Sequence, residues 1–156
     1  MTGTPMANAA NQIVNAFDND VNTLYSSWSS PCYVGIDVGY GTVAKLSKVS
    51  ILPQTSGNGR ILIAGIHIEG SQDGTTYTDL FTILSTPTTG WSSYDMGDGV
   101  LSYRYMRAVK YSGRCLWSEL EFYGKEFTSF PDIAACPIQV SCNVILPASI
   151  RMQCLP

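Results

Sequence analysis

Apolar residues along this chain recur mostly with a period of two. Cys32 to Gly39 sets Val34, Ile36 and Val38 on one side of an extended segment, the alternation of a half-buried strand. Val43 to Leu52 predicts a second strand, stopped by Pro53. Ile61 to Glu69 predicts a third, with Ile66 and Ile68 facing one way and His67 and Glu69 the other. The Asp73-Gly74 pair within Ser71–Thr75 is a hairpin signal, because glycine accepts the positive φ that a tight turn needs. Tyr77 to Leu84 is then the returning strand. Leu101 to Tyr111 and Leu116 to Tyr123 are two more, separated by Ser112-Gly113-Arg114. In the last of them, Leu116, Ser118, Leu120 and Phe122 are assigned to one face, and Trp117, Glu119, Glu121 and Tyr123 to the other. Gln54 to Arg60 and Ser85 to Gly99 read as loops, and Ile13, Val14 and Phe17 as a single helical turn or short anchor. Short strands, frequent turn signals and almost no helical periodicity predict an all-β fold, an antiparallel β-sandwich.

Residues 125–156 break the pattern. They hold three of the five cysteines and four of the eight prolines in a largely apolar stretch. This predicts a sandwich over residues 1–124 and a Cys- and Pro-rich C-terminal extension over 125–156, packed on the sandwich or on a neighbouring subunit. Ile138 to Val144 alternates like a strand, and a disulfide such as Cys142–Cys154 would hold the extension, although sequence cannot choose the pairing.

Composition narrows the function classes. Lys+Arg 9 against Asp+Glu 12 leaves a net charge of −3 with no basic tract, which argues against nucleic acid as a partner. No run approaches the roughly 18 apolar residues that span a bilayer, and the loops carry neither apolar spikes nor a basic girdle for a membrane surface. Five cysteines with only 13% charged residues point to an oxidising, extracellular or cell-surface location. No signal peptide is visible at Met1 to Pro5. The cysteines lack CxxC spacing and any neighbouring histidine, which argues against zinc.

Between Asn15 and Thr23 the chain is rich in oxygen: Asp18, Asn19, Asp20, Asn22 and Thr23 supply carboxylate, amide and hydroxyl groups. Such residues make turns by bonding their own backbone. They also form cradles for hard cations, which take about six to eight oxygen ligands. The spacing is not that of an EF-hand.

Several segments, in order, resemble the discoidin, or coagulation-factor C-type, domain of the galactose-binding-like superfamily. Asn15–Thr23 resembles its opening calcium loop, Tyr33–Gly39 its Asp-Leu-Gly strand, and Ile68–Tyr77 its Gly-Ser-x-Asp-Gly hairpin. Tyr103-Arg104-Tyr105-Met106-Arg107 resembles its Tyr-Arg-Tyr-Val-Arg strand, and Ser118–Gly124 its closing Glu-Ile-Glu-Phe-Tyr-Gly. The resemblance covers residues 10–124 and implies a jelly-roll sandwich. It also implies a structural Ca2+ held by the Asn15 carbonyl, the Asp18 carboxylate, a group on Asp20, Thr23, the Ser118 carbonyl and Glu119. Asn19 stands where the family has glycine and, like glycine, tolerates left-handed backbone.

The expected function is non-catalytic. His67, the one histidine, has no nucleophile motif beside it, and no carboxylates other than the cation-loop pair are placed for acid–base work. The resemblance implies recognition of carbohydrate or glycoprotein by end loops in adhesion, with Tyr25, Trp28, Arg60, Trp91 and Tyr94 as candidate ligand residues. Leu24 stands where galactose-binding relatives commonly carry histidine. The alternative is a structural subunit of an extracellular filament or coat, a homo-oligomer or larger assembly, joined through the sandwich and the C-terminal tail.

Overall fold

The computed structural model describes residues 3–7, 13–54, 59–97 and 101–128. Among the described residues there are ten strands: β1 (Thr4–Ala7), β2 (Tyr25–Ser27), β3 (Cys32–Asp37), β4 (Thr42–Pro53), β5 (Ile66–Ser71), β6 (Thr78–Ile83), β7 (Ser92–Asp95), β8 (Ser102–Tyr103), β9 (Tyr105–Lys110) and β10 (Cys115–Thr128). One sheet runs β1-β3-β9-β5-β6 and the other β2-β10-β4-β7, with β8 also on β4. All the pairings are antiparallel. The fold is the expected β-sandwich.

The alternation read from the sequence sets the core. Val34 and Ile36 of β3, Ile66 and Ile68 of β5, and Met106 and Ala108 of β9 face Ala44, Leu46, Val49 and Ile51 of β4 across the layer. Gly35 lies where a side chain has no room, since a Cβ there would sit 2.1 Å from the Met106 carbonyl oxygen. Burying large aliphatic side chains stabilises by roughly 1.5–3 kcal/mol each. A disulfide joins Cys32, the first residue of β3, to Cys115, the first of β10, with Cα atoms 6.0 Å apart, and so crosslinks the two sheets. The Cys142–Cys154 pairing and the strand at Ile138–Val144 lie outside the described residues.

The sequence reading differs from the structure in several places. The stretch expected to begin a strand at Ile61 starts with a 3-10 turn over Gly59–Ile63, and β5 forms only from Ile66. The loop expected over Ser85–Gly99 contains β7, which adds to the β4 edge. Leu101–Tyr111 divides at Arg104 into β8 and β9, which belong to different sheets. The closing strand runs past Gly124, with Lys125 to Thr128 paired to Lys45 to Thr42.

The face assignment in β10 is corrected in its first half. Cys115 and Trp117 enter the core, and so do Leu120 and Phe122. The reversal comes from a bulge between Trp117 and Glu119, where the pairing to β4 slips from Pro53 to Leu52. One extra residue flips the alternation, so Trp117 shares the core face with Leu120 and Phe122, while Leu116, still only 5% exposed, lies on the other face with Glu119.

Candidate functional site

The bulge in β10 meets the oxygen-rich loop. A 3-10 turn over Ile13–Ala16 leads into that loop, and Ala16 and Phe17 pack on the core. Asn19 crosses the tip at φ 59°, the left-handed value expected of a residue in a glycine position. The loop closes on Thr23, whose hydroxyl lies 3.0 and 2.9 Å from the two Asp18 carboxylate oxygens, 2.9 Å from the Asp20 carbonyl and 3.4 Å from the Asn15 carbonyl. The Asp20 carboxylate accepts hydrogen bonds from the Asn22 backbone N–H and side-chain amide, so the carbonyl is the Asp20 oxygen that faces inward. Asn15 donates its side-chain amide to the Leu24 carbonyl, which leaves its own carbonyl on the Thr23 side.

Glu119 arrives from β10 only 3% exposed, and one of its carboxylate oxygens, Oε1, is buried without a hydrogen-bond partner. Burial, with the nearby Asp18 carboxylate second, pushes the Glu119 carboxyl up to about 7. Asp18 goes the other way, held down chiefly by the Asp20 backbone N–H. Two carboxyl groups so placed repel each other when both are ionised, which favours a proton or a cation between them.

Asn15, Asp18, Asp20, Thr23 and Glu119 therefore converge, and Ser118 is buried beside Glu119. Among the described residues no three His, Cys, Asp or Glu side chains gather as a metal site. The donor set here is instead two carboxylates with carbonyl and hydroxyl oxygens, which is oxygen chemistry suited to a hard cation. An orphaned, buried carboxylate oxygen costs free energy unless something positive or protic reaches it.

The five candidate ligand residues do not form one cluster. Tyr25 leaves the set: it is fully buried, its hydroxyl donates to the Tyr33 carbonyl at 2.8 Å, and its ring packs on Trp117 at 5.2 Å. Tyr94 lies in β7 with its ring 5.5 Å from Phe81. Arg60 is exposed on the 3-10 turn after β4. Trp28 is 78% exposed and Trp91 42%. These two tryptophans follow β2 and precede β7, the opposite edges of one sheet, so three strand spacings, roughly 14 Å, separate them across the sheet alone.

A groove of about 440 Å³ lies between the oxygen-rich loop and the start of β10. Asn15, Asn22 and Thr23 line it from the loop, with Gln54, Arg114 and the largely buried Leu116. Arg114 donates to the Ser26 hydroxyl from Nη2 at 2.7 Å and Nε at 3.2 Å, and its guanidinium stands 4.6 Å from the centre of the Trp28 ring. Arg114 and Gln54 were not among the sequence candidates. An arginine in the short turn between two strands was the available signal for Arg114.

His67, in β5, faces both Asp79 at 3.1 Å and Thr82 at 3.0 Å with its Nδ1, and Thr82 also donates to Asp79.

No protein-family model and no curated protein sequence matches the chain. Solved structures do. The chain is similar to the CBM62 module of Clostridium thermocellum Xyl5A, at 28% identity and a TM-score of 0.67, over 81% of this chain and 96% of that one. It is also similar to CpGH89CBM32-6 of Clostridium perfringens, at 18% identity, TM-score 0.63, over 78% of this chain and 93% of that one. CpGH89CBM32-5 of the same organism, solved with GalNAc-β-1,3-galactose, matches at 14% identity, TM-score 0.60, over 78% and 94%. The structural neighbours are carbohydrate-binding modules, and this chain has their fold, the galactose-binding-like sandwich that discoidin domains share.

Proposed function

We propose that this chain is a non-catalytic carbohydrate-binding module that works outside the cell, in surface or matrix adhesion, with its end loops braced by calcium. The observation that carries the sugar reading is the match of the whole sandwich to the CBM62 module at 28% identity. Exposed Trp28, Trp91 and Arg60 supply ring faces and a cation on the loops at one end. Aromatic rings that cover the apolar face of a sugar, with a few polar groups for its hydroxyls, make an ordinary saccharide site.

The orphaned Glu119 oxygen supports the calcium part. Asn15, Asp18, Asp20, Thr23, Ser118 and Glu119 would hold the ion, which would supply positive charge between two carboxylates and tie the opening loop to β10. Binding only to the folded chain stabilises it by about 2.7 kcal/mol at a hundred times Kd, which is roughly 10 °C in Tm for a domain of this size. Differential scanning calorimetry in millimolar calcium and in chelator measures the shift, and Glu119→Gln should abolish it. An identical Tm in both buffers removes calcium from the proposal.

The sugar reading is tested on a glycan array with calcium present. Selective binding that is reduced by chelator is the expected result. A folded chain that binds no glycan on the array refutes it.

A further inference from the structure

The groove beside the oxygen-rich loop has a charge that the neighbouring cations lack. Arg104 is held by both Asp37 oxygens at 2.8 Å, and Arg107 lies 2.7 Å from a Glu69 oxygen. Arg114 has no carboxylate partner among the described residues: its contacts are a neutral hydroxyl and an aromatic ring. No acidic side chain lines the groove with it. A guanidinium carries five N–H donors in a planar fork that matches a carboxylate, and here Ser26 takes donors on Nε and Nη2 only. Ser26 and the Trp28 ring fix the plane of the fork from two sides, so little side-chain freedom is left to lose on binding.

The rest of the groove suits a hydroxylated ligand. Asn15, Asn22 and Gln54 bring amides. The Asn22 amide is already oriented by Asp20 and the Asn15 amide by the Leu24 carbonyl, so the loop that would hold the cation also sets this wall. The volume falls in the range of roughly 300–1,000 Å³ usual for small-ligand sites. Trp28 gives one ring face to Arg114 and, at 78% exposed, keeps surface for the apolar side of a sugar ring next to it.

We infer that this groove takes a saccharide bearing a carboxylate, a uronic acid residue, with Arg114 as the anion-binding donor and Trp28 as the adjoining ring platform. The inference rests on the carbohydrate reading above and specifies its ligand class. Neutral sugars would leave the Arg114 fork facing only hydroxyls, whereas a carboxylate can accept parallel N–H bonds from it and neutralise its charge.

Isothermal titration with galacturonate and glucuronate oligosaccharides, beside galactose and glucose oligosaccharides of equal length, tests it on the full chain in millimolar calcium. The uronates should bind more tightly than their neutral counterparts, and rising sodium chloride should weaken them selectively. Arg114→Gln should lower uronate affinity about 10- to 100-fold, and Arg114→Lys should recover only part of it, since the ammonium keeps the charge but loses the fork. Trp28→Ala should weaken both sugar classes. Lys125→Gln, the same charge change on the far part of β10, should leave affinity unchanged, and Tm values should show that every variant is folded. Neutral sugars binding as well as uronates, with Arg114→Gln silent, would overturn this inference and leave the carbohydrate reading standing. No binding of any saccharide by the folded chain would overturn both.

Discussion

Reducing the Cys32–Cys115 disulfide should weaken the domain severely, because the bond closes a long loop between sheets. The two cysteines are 83 residues apart in sequence. On the chain-entropy account, tying the unfolded chain at that separation raises its free energy by about 4.5 kcal/mol at 25 °C. The folded chain should lose little when the bond opens, since Val34, Ile36 and Trp117 hold the same strands in the core. The effect therefore sits almost entirely in the unfolded state. Urea titration of the oxidised chain and of the same chain under reductant measures it without removing an atom from the core. With a slope of roughly 1.5 kcal/mol/M the midpoint should fall by about 3 M. A Cys32→Ala/Cys115→Ala variant should lose slightly more, because both sulfurs are fully buried and leave a void. Peptide mapping without reductant should recover the Cys32 and Cys115 peptides joined. Midpoints within about 0.5 M of each other, against an expected fall of about 3 M, would refute the reasoning. So would Cys32 found paired elsewhere. The same loss bears on compartment, for a domain this dependent on a crosslink is suited to oxidising surroundings.

Two further outcomes follow from single residues. Asn19 holds φ 59°, so Asn19→Ala should destabilise by about 1 kcal/mol while Asn19→Gly is nearly neutral; equal chemical-denaturation midpoints for the two variants would contradict this. The Asp37 carboxyl is held below its ordinary value chiefly by Arg104, and Asp73 by the Thr76 and Thr75 backbone N–H groups. Depressed folded values mean that their stabilisation is complete above the unfolded value of about 3.9 and is lost as pH falls below it. Denaturation midpoints measured from pH 7 down to pH 2.5 should drop across that window, and Asp37→Asn should flatten part of the drop; an unchanged acid limb in the variant would tell against the ion pair.

Strand positions were legible in the sequence because alternation and turn chemistry are local. Val34, Ile36 and Val38 at every second position, or Asp73-Gly74 between two apolar runs, fix strand and hairpin without reference to the rest of the chain. The Asp18–Thr23 loop was legible for the same reason, as a dense run of oxygen donors. The short strands β7 and β8 were not, since Ser92–Asp95 and Ser102–Tyr103 are ordered by pairing with β4 rather than by any pattern of their own.

The β10 bulge marks the limit of local reading. Alternation assigned Leu116 and Leu120 to one face, but the slip between Trp117 and Glu119 puts Leu116 on the face opposite Leu120, buried outside the main core cluster. Nothing in the segment announces the slip, because a bulge is a property of two paired strands. Tyr25 shows the same limit from the other side: an aromatic in a Ser-rich stretch reads like a surface platform, yet Trp117, distant in sequence, packs on it and the Tyr33 carbonyl takes its hydroxyl. Sequence alone therefore determined the sandwich and the donor chemistry of the loop, which depend on neighbours along the chain. Only the tertiary structure decided that Glu119 is buried beside Asp18, that Cys32 meets Cys115, and that Arg114 faces a groove without a carboxylate of its own. Each of those depends on contacts made across sheets or from strand to loop, and burial and electrostatics arise from such contacts.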